Sequence, residues 1–297
     1  MNCLLTGSNG FLGRVINHEL SKKCVVFGLS KNTGDYKVNL VEQVPDFNHQ
    51  FDIVVHAAGK AHSSSKKTKH VDDFYKVNVQ GTQNLLKGLE KSLILPKSFL
   101  FISTVAVYGI NEGCYINENT PLLAEDAYGQ SKIMAENIVM DWCFKNNIIC
   151  TIFRLPLVVG SNPPGNLGAL VNGIRRGYYF NIAGRNARKS MVLSEDVAKI
   201  ILISANIGGV YNLTDGYHPT FLEISTHIAT QLGKPMPICL PFSLMRFIAQ
   251  IGDLFGVESL INTPKLNKII SDLTFDDNKA RTNIGWVSNC VLSWQLN

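Results

Sequence analysis

With 297 residues, 45% of them hydrophobic and 17% charged, the chain can bury a full core in one large or two unequal domains, which excludes a disordered or disulfide-stapled class. A net charge of +5 is modest and matches no nucleic-acid-binding motif; the densest basic stretch, Lys66-Lys67-Thr68-Lys69-His70, reads as a surface loop. No apolar run reaches the ~18 residues that span a bilayer, Cys3-Leu4-Leu5-Thr6 follows the start without a basic leader, and the seven cysteines form no Cys-x-x-Cys pair, so a cytoplasmic protein without a metal site is expected.

Short apolar runs at residues 3–6, 24–29, 53–58, 99–103 and 148–153 predict strands, and their near-continuous apolarity suits strands covered on both faces. Amphipathic stretches at 11–21, 73–90 and 128–145 lie between them and are long enough for right-handed crossover helices. The alternation predicts an α/β protein with a Rossmann-type doubly wound parallel sheet over residues 1–160, to which later segments return. After Gly160-Ser161-Asn162-Pro163-Pro164-Gly165 the pattern shifts to short helices and isolated strands, among them 210–213 and 221–232. Residues 161–297 are therefore expected to form mainly a smaller substrate-binding lobe at the sheet's carboxyl edge.

The first strand runs directly into Thr6-Gly7-Ser8-Asn9-Gly10-Phe11-Leu12-Gly13, which opens the first helix. Glycines there allow a tight turn and let backbone N–H groups approach a pyrophosphate, which makes Gly7, Asn9, Gly10 and Gly13 candidate dinucleotide contacts. After the second strand, Phe27-Gly28-Leu29-Ser30-Lys31 shows no acid to hold the ribose 2′-hydroxyl of NAD. Ser30 and Lys31 can instead accept a 2′-phosphate, so the expected cofactor is NADP or NAD, with NADP slightly favoured.

Tyr128-Gly129-Gln130-Ser131-Lys132 opens another helix, and its i, i+4 spacing stacks phenol and ammonium on one face. A cation beside the phenol lowers its pKa, which suits proton exchange with an alcohol or ketone. Ser103-Thr104 places hydroxyls at the end of a strand, where Thr104 can bond the reacting oxygen, and Asn78 can order a relay water or the backbone beside the site.

Taken in order, Gly7/Gly10/Gly13, His56-Ala57-Ala58-Gly59, Val77-Asn78-Val79-Gln80-Gly81-Thr82, Ser103-Thr104 with Val107-Tyr108-Gly109, Tyr128-x-x-x-Lys132 and Arg154-Leu155-Pro156 resemble the extended short-chain dehydrogenases/reductases of the nucleotide-sugar epimerase/dehydratase family. The resemblance covers roughly the first 160 residues. It implies that Phe11 and Leu12 cover the pyrophosphate, that Asn39 and Leu40 flank the adenine, and that Ala57, Ala58, Gly59, Asn78 and Pro156 line the cofactor. It further implies a catalytic triad of Thr104, Tyr128 and Lys132, with Lys132 also holding the nicotinamide ribose. In the lobe, Asn166 and either Arg188 or Lys189 resemble the family's contacts to the sugar-nucleotide phosphates, and a homodimer is implied.

Val105 and Ala106 stand where dehydratases of this family carry an Asp-Glu pair, so dehydration is not expected. The missing acid after the second strand and Leu157 in place of a sugar-contacting Asn favour a 4-ketoreductase of polysaccharide sugar biosynthesis, with a UDP-sugar 4-epimerase as the alternative and a non-catalytic dinucleotide sensor as the third reading. Sugar selection is assigned to loops 60–70 and 163–167, with His62 a candidate. Residues 241–251 form an amphipathic, mildly basic helix pattern, read first as packing on the lobe and second as a membrane-surface contact.

Overall fold

A computed structural model describes residues 1–61, 68–255 and 261–296. The first half alternates strand and helix: β1 (Asn2–Thr6), α1 (Phe11–Leu20), β2 (Val25–Ser30), β3 (Tyr36–Lys37), β4 (Ile53–His56), α2 (Thr68–Phe74), α3 (Gly81–Glu90), β5 (Ser98–Thr104), β6 (Gly113–Ile116), α4 (Ala127–Lys145) and β7 (Ile149–Leu155). A π-helical turn, Tyr75–Gln80, joins α2 to α3, so the helix expected at 73–90 is continuous but locally wound wider. Asp126 caps α4 by accepting from Gly129 N at 3.0 Å, which starts that helix one residue ahead of Tyr128.

The second half comprises β8 (Leu157–Val159), α5 (Gly165–Arg175), β9 (Asn181–Ile182), β10 (Met191–Leu193), α6 (Ser194–Ser204), β11 (Gly209–Asn212), α7 (Phe221–Gln231), β12 (Cys239–Leu240), α8 (Phe242–Leu254), α9 (Thr263–Ile270), β13 (Leu273–Phe275) and α10 (Asn278–Ile284). The main sheet has seven strands in the order β3-β2-β1-β4-β5-β7-β11, and every pairing in it is parallel. The order reverses between β1 and β4, so the loops after these strands open a crevice at the carboxyl edge.

Leu4 and Leu5 show why the runs are apolar throughout: neighbours on one strand, they enter opposite cores. Leu5 packs with Ile16 and Leu20 of α1, Val197 and Ile201 of α6, and Trp286. Leu4 packs with Leu85 and Leu89 of α3 and Val139 and Trp142 of α4. Thus α6, β11 and α10, from the second half of the chain, complete the first half's sheet and cover. The lobe has its own core, in which Leu170 and Ile174 of α5 meet Ile224 and Ile228 of α7, whose start is fixed by the Thr220–Glu223 capping box. No helix among the described residues is long and apolar enough to cross a membrane.

Candidate active site

Gly7 turns the chain out of β1 at a φ of +68°, and a Cβ on it would lie 2.7 Å from Ala58 N. A Cβ on Gly13 would lie 2.0 Å from Gly7 O, so the glycine spacing closes the loop onto the helix. Gly10 begins α1 with no side-chain cap, and no side chain therefore claims the first-turn N–H groups. This positive, sterically open helix end fits the diphosphate of a dinucleotide. Leu12 packs partly into the core, while the Phe11 ring reaches the turn after β8, with its tip 3.1 Å from where a Cβ on Gly160 would stand.

At the end of β2, Asn9 donates to Ser30 Oγ at 2.8 Å and to Thr33, and the Ser30 hydroxyl is bonded to Thr33 O. Ser30 is therefore engaged within the protein, while Lys31 is exposed. The following loop brings an acid back to β2: Asp35 accepts from Gly28 N at 2.8 Å. A Cβ on Gly28 would lie 2.9 Å from the Ser8 hydroxyl and 3.8 Å from that carboxylate, so glycine keeps both beside the phosphate loop. Asn39 receives Val41 N at 3.3 Å in a local turn, and Leu40 is buried beneath α3, where Asn84 holds its carbonyl at 2.8 Å.

Behind β4 lies a polar chain that sequence reading did not anticipate. Thr82 spends its hydroxyl proton on Asn78 O at 2.6 Å, so it accepts from His56 Nε2 at 2.9 Å; His56 Nδ1 then accepts from Thr6 at 2.6 Å, and Thr6 in turn accepts from Ala58 N at 3.1 Å. Burial, with Lys132 nearby, pushes His56 down to about 3 and keeps it neutral. The chain fixes the Ala57-Ala58-Gly59 turn against Gly7. Asn78, in the π-helical turn, accepts from Lys60 N at 2.8 Å, donates to Lys60 O at 3.1 Å and reaches Ser131 Oγ at 2.9 Å. Of its two expected roles, the bonds made are those to backbone and to α4.

Thr104, the last residue of β5, accepts from Ala106 N at 3.2 Å and presents its hydroxyl beside Tyr128 at the start of α4, where it favours the ionised phenol. Lys132 departs from expectation. Its ammonium donates to Ile102 O at 2.7 Å and lies 3.8 Å over the Phe101 ring. Burial pushes this ammonium down to about 7, while Glu136 opposes the fall. The Tyr128 phenol is raised, mainly by burial, against the opposing effect of the Thr104 hydroxyl; the expected lowering by Lys132 is absent, its ammonium being turned to the strand backbone.

One turn beyond Lys132, Glu136 is fully buried and takes Arg154 Nη2 at 2.8 Å, Arg154 Nε at 3.3 Å and the Ser103 hydroxyl. Arg154 Nη1 continues to Tyr108 Oη at 3.2 Å, and Tyr108 donates to Asn212 at 2.8 Å. This network ties α4 to β5, β7 and β11. Its signal in the sequence was two charges inside apolar surroundings, Arg154 ending a strand and Glu136 four residues after Lys132.

The substrate-side candidates are more dispersed. Pro156 is half-buried between β7 and β8; Asn166 is exposed in the first turn of α5, while Leu167 turns into the lobe core. Arg188 donates to Tyr217 O at 3.3 Å and His218 O at 3.0 Å, and Lys189 Nζ donates to Ser271 O at 2.6 Å. Both cations thus hold carbonyls of the lobe, and burial lowers Lys189. His62, Lys66 and Lys67 lie outside the described residues. Among the described residues, no cluster of three or more His, Cys, Asp or Glu side chains is placed to hold a metal.

Residues 3–213 match the NAD dependent epimerase/dehydratase family. The chain is 27% identical to N-acetyl-α-D-glucosaminyl-diphospho-ditrans,octacis-undecaprenol 4-epimerase of Escherichia coli O157:H7, over 99% of this chain and 93% of the relative. It is 26% identical to UDP-glucose 4-epimerase of Vibrio cholerae, over 95% and 89% of the two chains. Its fold resembles that of Thermotoga maritima UDP-glucose 4-epimerase in complex with UDP-glucose, with a TM-score of 0.74, 19% identity and coverage of 97% and 94%. The glycine cradle, the Thr104–Tyr128 pair and the matched span agree: this chain belongs to the NAD dependent epimerase/dehydratase family and is an enzyme that works with a nicotinamide dinucleotide.

Proposed function

We propose that the enzyme inverts C4 of a sugar carried on a diphosphate. The observation that carries this reading is the juxtaposition of Thr104, ending β5, with Tyr128 in the first turn of α4, in a chain that aligns nearly end to end with 4-epimerases. Sequence reading ranked 4-ketoreduction first; the two full-length relatives move the weight to epimerisation. Asp35 beside Gly28, and the Ser30 hydroxyl engaged by Asn9 and Thr33, favour NAD over NADP, because an acid near the adenosine ribose repels a 2′-phosphate.

Bound in the glycine cradle, the dinucleotide supplies the hydride acceptor and donor. As the phenolate, Tyr128 Oη takes the proton from the 4-hydroxyl and, as the neutral phenol, returns it after the ketosugar has turned over in the site, while Thr104 Oγ orients the same oxygen. Lys132, held on the Ile102 carbonyl of β5, is the proposed contact to the nicotinamide ribose. Asn166 and Arg188 are the proposed contacts to the substrate diphosphate, with Lys189 bracing the loop that carries Arg188.

Purified enzyme given UDP-glucose, UDP-N-acetylglucosamine or N-acetylglucosaminyl diphospho-polyprenol is expected to form the 4-epimer of at least one without added reductant. Tyr128→Phe should lower turnover by about 10²-fold or more. Stoichiometric consumption of NADPH with a 4-keto sugar would establish ketoreduction instead, and full turnover by Tyr128→Phe would remove the proposed proton route.

A further inference from the structure

Helix α8 is apolar on two faces. Met245, Ala249 and Gly252 form the inner one, and the first two pack on Leu266 of α9. The second stripe, Leu244, Phe247, Ile251 and Leu254, repeats at i, i+3, i+7 and i+10 and continues into Phe255. Phe247 is 60% exposed, Leu254 84% and Phe255 74%, with Leu244 and Ile251 at 43% and 42%, so most of the stripe's apolar surface faces solvent. Isolated exposed hydrophobes need no explanation, but a helical row of large ones does.

The surroundings are cationic. Arg246 lies on α8 itself, Lys268 is exposed on α9, and the Arg185 guanidinium sits 4.0 Å over the ring of Phe242, the first residue of α8. Residues 161–194 carry five cations and no acid, and residues 234–270 carry four cations against two acids. An apolar stripe with a basic rim suits an anionic lipid surface better than a second copy of itself, which would bring two basic rims together. The helix has 13 residues, about 20 Å at 1.5 Å per residue, too short to span a bilayer but long enough to lie in its interface. Arg185, three residues before Arg188, ties the start of α8 to the loop that bears this proposed diphosphate contact. The relative that aligns over 99% of this chain acts on a sugar diphosphate linked to undecaprenol, a substrate whose hydrocarbon chain resides in the bilayer.

We propose that the outer face of α8 docks the enzyme on an anionic lipid bilayer and presents the site to a sugar diphosphate anchored there by a polyprenyl chain. The inference rests on the diphosphate-sugar reading of the active site.

The test is co-sedimentation of the full chain with phosphatidylglycerol/phosphatidylcholine vesicles, comparing the parent with Phe247→Ser/Leu254→Ser and with Arg246→Glu/Lys268→Glu. The parent is expected to bind, with binding weakened by salt, and each variant should lose at least tenfold in partitioning while keeping its melting temperature. In parallel, turnover of a water-soluble UDP-sugar should match the parent, while turnover of the polyprenyl substrate in vesicles should fall at least tenfold. Undiminished vesicle binding by the apolar variant overturns the proposal. So does a parent that ignores vesicles but forms a dimer that the variant loses, since the face is then a protein interface. Normal vesicle binding with no turnover of any diphosphate sugar leaves docking standing and refutes the active-site reading.

Discussion

Replacing Arg154 by Met keeps most of the side-chain volume but strands Glu136. The pair is nearly sealed, with side-chain exposures of 6% and 0%, and Arg154 supplies the 2.8 Å and 3.3 Å contacts to the carboxylate and a 3.2 Å contact to Tyr108. Afterwards only the Ser103 hydroxyl among those contacts still serves Glu136. Breaking a buried pair from one side costs about 3–5 kcal/mol. At roughly 2–4 °C per kcal/mol for a chain somewhat smaller than this one, the midpoint should fall on the order of 10 °C. Glu136→Gln in the same chain removes the stranded charge, and the double variant should recover about 1–3 kcal/mol relative to additivity. Urea unfolding of the four proteins, followed by circular dichroism, measures the cycle. A cost below about 1 kcal/mol for Arg154→Met, or strict additivity, refutes the claim that the network is a closed unit.

Other consequences follow from the same interior. His56 is held at about 3 against an ordinary value of 6.5, so between these pH values the unfolded chain takes a proton that the folded one refuses. Stability should therefore fall as pH drops from 6.5 towards 3, and His56→Asn, though weaker at neutral pH, should show a shallower acid loss; parallel slopes in urea titrations would contradict this. Lys132 is held at about 7 against an ordinary 10.5, so its burial penalty is complete below pH 7 and fades as pH rises towards 10.5. Lys132→Met should be more stable than the parent at pH 7 by an amount on the order of a few kcal/mol, with the gap closing by pH 10; a constant gap would contradict the shift. Gly13→Ala drives a Cβ to within 2.0 Å of Gly7 O, and NAD affinity measured by calorimetry should fall at least tenfold, whereas unchanged affinity would show that the loop relaxes freely.

The parallel sheet was readable because each central strand must face two cores, and Leu4 and Leu5 carry that requirement side by side. The glycine loop and the Tyr128–Lys132 spacing were readable because backbone approach and helical repeat leave fixed intervals. What escaped was long-range. β3 has only two residues in a polar stretch, and Asp35 reaches Gly28 from a loop, so neither leaves a periodic trace. The His56–Thr82–Asn78 chain joins residues 26 and 4 positions apart through hydroxyl protons, which no spacing rule encodes. Likewise, spacing placed Lys132 below Tyr128 but not the Ile102 carbonyl that captures its ammonium.

The central claim is inversion at C4 by a hydride that leaves the sugar and returns to it. A diphosphate-linked sugar deuterated at C4, incubated with the enzyme and a catalytic amount of NAD, should give the 4-epimer with deuterium retained at C4 and no net NADH. Loss of the label to an accumulating reduced dinucleotide, or turnover only with stoichiometric NADPH, would contradict it.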